Sequence, residues 1–68
     1  MPERLSNRLR ELRTERDLTQ AALAEMVGVS RKTINTVENG IFIPSTTLAL
    51  KLARALDRPV EEVFSLED

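Results

Sequence analysis

The sequence contains no cysteine and no histidine. That removes disulfide stapling, thiol chemistry, zinc-finger ligation and imidazole acid–base catalysis together, and no cofactor or metal is expected. No stretch approaches the ~18 consecutive apolar residues that a membrane helix needs. Residues 1–12 alternate charge with leucine, unlike a signal peptide, so an intracellular, cytoplasmic protein is expected. Internal repeats, low-complexity tracts and strand hairpins are missing as well. The 68 residues are expected to form one domain, 1–68, whose small core leaves association with a second copy open from length alone.

The net charge of −1 argues, taken whole, against a polyanionic partner. Its distribution argues otherwise. Residues 1–56 carry nine Lys or Arg against six acids, whereas residues 57–68 carry Arg58 alone against Asp57, Glu61, Glu62, Glu67 and Asp68. Acid is concentrated in the tail. An enzyme is not expected: the remaining carboxylates are scattered at helical surface spacing, and Glu61-Glu62 suits the first turn of a helix.

Hydrophobic spacing predicts an all-α chain of five short helices. Leu5, Leu9 and Leu12 fall on one helical stripe between Glu3 and Arg16. Thr19 is placed to cap a second helix, AALAEMV, that stops at Gly28. Ser30 caps a third helix, 30–39, that ends before Gly40. Pro44 keeps the following loop non-helical, and Ser45 or Thr46 caps a fourth helix reaching about Leu56. After Asp57-Arg58-Pro59, VEEVF has room for one or two further turns.

The stretch Thr19–Gly40 carries the strongest pattern. Leu23 and Val27 lie four apart on one helix, and Ile34 and Val37 three apart on the next, so the two faces can meet over a common core. Ala24 is small where the helices would approach, and Gly28 permits the turn between them. A helix hairpin with only a packing role would share some of these features. Seven matches at fixed offsets, counting Val29 with those just named, favour the more specific helix-turn-helix.

With these residues in place the chain resembles the phage repressor and Cro type of helix-turn-helix domain, the XRE family. The resemblance rests on LRELR (9–13), LTQAALAEMVGVS (18–30), Ile34 through ENG (38–40), PSTTLALKLARAL (44–56) and VEEVF. It implies a lambda-repressor-like domain whose third helix enters the major groove of double-stranded DNA, acting as a transcriptional regulator by operator occupancy. Matched by position, Arg31, Lys32, Asn35 and Thr36 become candidate base contacts, with arginine or lysine suited to guanine, asparagine to adenine and threonine to a thymine methyl. Gln20, Thr33, Asn39 and Arg10 become candidate contacts to the DNA backbone. Arg13 and Glu38 match a family ion pair that fastens the third helix to the first.

One departure stands out. Where the family often has a basic residue after ENG, this chain has Ile41, Phe42 and Ile43, beside a fourth helix bearing Leu48, Leu50 and Leu52. Apolar residues in a loop usually mark a contact surface. They suggest a homodimer interface built from Ile41, Phe42, Ile43 and Leu48, with the segment from Val60 to Leu66 as a further candidate. The alternative function, from another class, is a protein-binding or dimerising adaptor such as an antitoxin component.

Overall fold

The computed structural model describes residues 3–67. Its elements run β1 (Arg4–Asn7), α1 (Leu9–Glu15), α2 (Gln20–Val27), α3 (Arg31–Glu38), α4 (Thr46–Ala55), α5 (Val60–Val63) and β2 (Phe64–Glu67). Three helix starts follow directly from hydroxyl side chains. Thr19 Oγ1 accepts from Ala22 N at 3.0 Å, and Ser30 Oγ and Ser45 Oγ accept from Thr33 N and Leu48 N at 3.1 Å each. Each bond satisfies a backbone donor that the first turn leaves free, which contributes about 1 kcal/mol.

Helix ends are closed by residues in the left-handed region. Gly28 has φ 76°, and Val29 N donates back to Ala24 O at 3.0 Å. A Cβ at Gly28 would meet nothing within 4 Å, so the glycine serves backbone conformation and not space. The same closure ends α1 and α4, where Leu18 N reaches Arg13 O and Arg58 N reaches Ala53 O. There the left-handed residues are Asp17 and Asp57, at φ 56° and 55°.

The core draws on every helix. Leu9 and Leu12 of α1, Leu23, Ala24 and Val27 of α2, Ile34 and Val37 of α3, Leu48, Leu52 and Ala53 of α4, and Val63 of α5 are buried with Leu56 and Phe64. At about 1.5–3 kcal/mol for a fully buried aliphatic side chain, this cluster is the main favourable term for folding.

The amino-terminal helix differs from expectation. Residues Arg4–Asn7 are extended and pair antiparallel with Phe64–Glu67, in the register Arg4 with Glu67, Leu5 with Leu66, Ser6 with Ser65 and Asn7 with Phe64. Among the described residues the fold is therefore five helices with a two-stranded ribbon, not helices alone. Two contacts set this boundary. Asn7 Oδ1 accepts from Leu9 N at 3.0 Å, starting the helix there, and Asn7 Nδ2 donates to Val37 O at 3.0 Å. Leu5 packs on the core from the strand as it would have from a helix, so the leucine stripe alone does not distinguish the two.

Candidate nucleic-acid interface

Helices α2 and α3 pack through Leu23, Ala24 and Val27 on one side and Ile34 and Val37 on the other, with Val29 partly buried at the turn. That uses the inner face of α3. On the outer face Arg31, Lys32 and Asn35 are exposed and line one open hollow, with Thr33 and Thr36 half-buried beside them. Among the described residues neither Arg31 nor Lys32 enters a salt bridge. Thr33 Oγ1 sits 2.9 Å from Ser30 Oγ, and Thr36 Oγ1 donates to Thr33 O at 2.9 Å, so both hydroxyls are engaged within the helix.

Behind this face lies an enclosed carboxylate. Glu38 has a side-chain exposure of 0% and Arg13 one of 11%. Arg13 Nε approaches Glu38 Oε2 at 2.6 Å and Arg13 Nη2 approaches Oε1 at 3.3 Å, a two-point contact that fixes guanidinium and carboxylate in one plane. Arg13 Nη1 also donates to Leu18 O at 2.8 Å, tying the α1–α2 link to the same group. Burial by itself would raise the Glu38 pKa. The hydrogen bonds from Arg13, Gln20 and Arg10 outweigh that and hold it below its ordinary value.

Three of the four candidate backbone contacts, Gln20, Arg10 and Asn39, belong to this cluster. Gln20 Nε2 donates to Glu38 Oε1 at 3.0 Å and to Asn35 Oδ1 at 3.2 Å. Arg10 Nε donates to Glu38 Oε1 at 3.2 Å and its Nη2 to Asn39 Oδ1 at 3.0 Å. Asn39 Nδ2 in turn reaches Asn35 O at 2.9 Å and Asn35 Oδ1 at 3.3 Å. Position matching missed that these side chains meet each other. The spacing of glutamine, asparagine and glutamate gives no hint of convergence until the helices cross. Asn7 was missed too, although an asparagine just before LREL is a readable helix-start signal.

The apolar loop is held outward. Ile41 N and Phe42 N both donate to Thr36 O, at 2.9 and 3.2 Å, while residues Ile41 and Ile43 remain 75% and 71% exposed. Leu48, by contrast, is a core residue at 8% and has little surface to give a partner; Leu50 is the exposed leucine of α4. Ser45, Thr46 and Thr47 at the start of α4 are exposed and Leu48 alone turns inward there, a difference that the apolar count along the helix does not register.

A crossed helix pair over a shared core, with a donor-rich outer face on the second helix, defines a helix-turn-helix DNA-binding domain. The family model described as helix-turn-helix matches residues 9–63, and the chain belongs to that family of transcriptional regulators, which are not enzymes. It is 41% identical over 64 residues to the uncharacterized HTH-type transcriptional regulator YgzD of Bacillus subtilis, covering 94% of this chain and 97% of the relative. Among solved structures it resembles the restriction-modification controller protein C.AhdI from Aeromonas hydrophila. There the identity is 45%, the TM-score 0.77, and 81% of this chain and 83% of that one are covered. It also resembles the P22 c2 repressor in complex with a synthetic operator, at 35% identity and a TM-score of 0.77 over 79% of this chain and 82% of that one.

Proposed function

We propose that α3 enters the major groove of an operator, with Arg31, Lys32, Asn35 and Thr36 at base edges. The single observation that carries this reading is the outer face of α3, where two cations without an ion-pair partner among the described residues and an exposed amide sit beside a polar framework already satisfied from within. Phosphates would be held by the free backbone N–H groups that open α2 at Gln20, by Thr33 and Asn39, and by the half-exposed guanidinium of Arg10. A transcriptional role places the protein with the DNA, in the cytoplasm. The antitoxin-type reading is set aside, because the matched relatives are named for transcriptional regulation and the supporting apolar loop suits a second copy equally well.

The second copy is part of the reading. Ile41 and Phe42 are fixed by their backbone bonds to Thr36, all three of Ile41, Phe42 and Ile43 stay exposed, and Phe42 and Ile43 join Leu5 and Phe64 around a small hollow at the terminal ribbon. Two-fold pairing across this surface would present two recognition helices to successive major grooves about 34 Å apart. Selection of bound sequences from random duplexes tests both parts. A near-palindromic motif is expected, and Arg31→Ala should cost about 1–3 kcal/mol at one position of each half-site. Phe42→Asp should yield monomers in sedimentation. Enrichment of no motif, or a wild-type protein that stays monomeric at high concentration, would overturn the corresponding part.

A further inference from the structure

The amide groups around Glu38 have a fixed polarity, and that polarity reaches the reading face. A carboxylate only accepts hydrogen bonds and a guanidinium only donates them. Gln20 lies 3.0 Å from Glu38 Oε1, so its NH2 must be the end that faces the carboxylate. The second hydrogen of that NH2 is then directed at Asn35, 3.2 Å away, and the Asn35 atom receiving it must be Oδ1. A separate path gives the same answer. Arg10 Nη2 donates to Asn39 at 3.0 Å, so Asn39 presents Oδ1 to the arginine and Nδ2 to Asn35, where it meets Asn35 O at 2.9 Å and Oδ1 at 3.3 Å.

Resting on the reading that α3 lies in the major groove, we propose that Asn35 meets DNA as a hydrogen-bond donor only, and that the base it faces is guanine and not adenine. Its Oδ1 is used twice within the protein, and no hydrogen bond among the described residues takes up its Nδ2. Arg31 and Lys32, which share its hollow, are also pure donors. Guanine offers two acceptors in the major groove, O6 and N7, that match an NH2 group; adenine offers N7 beside a competing N6 amino group. Reading adenine in two-point fashion would require the Asn35 amide to turn over. Its Nδ2 would then face the NH2 groups of Gln20 and Asn39 with no acceptor among them. Gln20 and Asn39 are thus positioning residues for base choice, in place of the adenine contact expected from residue type alone.

The test is selection from random duplexes with wild-type protein and Asn35→Ala in parallel, which identifies the position that depends on Asn35. That position should be guanine in the wild type. Replacing it by adenine should weaken binding roughly tenfold, and 7-deazaguanine, which lacks the N7 acceptor, should also weaken it. In Gln20→Ala/Asn39→Ala the preference should move towards adenine, a change of base identity that simple loss of stability would not produce. The wild-type and deazaguanine arms stand even if that double variant does not fold. Adenine at the Asn35-dependent position, or no position dependent on Asn35, would overturn the proposal. Failure to enrich any sequence would instead overturn the groove-binding reading beneath it.

Discussion

Two clusters of arginine and carboxylate tie α1 to its neighbours, one to α3 and one to the segment around α5, and they differ in what surrounds them. Towards α3, Glu38 is enclosed and receives Arg13, Arg10 and Gln20. Towards α5, Arg58 spans Glu15 at 3.2 Å and Glu62 at 3.0 Å, and Arg16 stands 3.8 Å from Asp57, all on side chains 37–91% exposed. Similar residue types meet at similar distances in both places. Water makes the difference. Exposed pairs exchange one solvated contact for another and contribute about 0–1 kcal/mol, whereas an enclosed charge that loses its partner is left where nothing else can solvate it.

The largest effect is therefore expected at Glu38. Glu38→Ala strands Arg13 and releases Gln20, and should cost about 3–5 kcal/mol in urea unfolding; a loss below that of an exposed pair would erase the contrast. Acid should act on the same cluster. Because the folded-state pKa of Glu38 is lowered, its contribution is fully present above the unfolded value, about 4.3, and is lost as pH falls through the lower folded value. The stability difference between wild type and Glu38→Gln should accordingly shrink below pH 4, as followed by thermal melts.

How much of this was legible in the sequence depends on distance along the chain. Thr19, Ser30 and Ser45 act on donors three residues away, and Gly28 closes its own helix, so caps and turn could be read locally. The ribbon could not, because Arg4–Asn7 finds its partner at Phe64–Glu67 and no hairpin turn announces the pairing. At the interface, Arg31, Lys32 and Asn35 were recognisable as outward positions from the inward ones. The bonds of Gln20 and Arg10 depend on how three helices cross, and Leu48 shows that an apolar count does not tell which leucine faces out.

Smaller effects are expected on the exposed side. Asp17 and Asp57 hold left-handed conformations at helix carboxyl ends, where glycine is easier and a negative charge opposes the helix dipole. Asp17→Gly and Asp57→Gly should each stabilise by about 0.5–1 kcal/mol, even though Asp57 forfeits its contact with Arg16. Destabilisation by Asp57→Gly in calorimetry would mean that the exposed cluster matters more than its solvation suggests. Arg58→Ala should change stability least, by under about 1 kcal/mol despite removing two ion pairs.

On the proposed reading DNA meets the donor-rich face beside the enclosed cluster, and neither the exposed cluster nor the acidic tail. Titrating isotopically labelled protein with a selected duplex and following amide signals by NMR tests it most directly. The largest changes are predicted at Arg31, Lys32, Asn35 and the side-chain amides of Asn35 and Gln20, with Glu15, Arg58 and Glu62 nearly unmoved. Changes centred on Arg58 and Glu62, with α3 silent, would contradict the account.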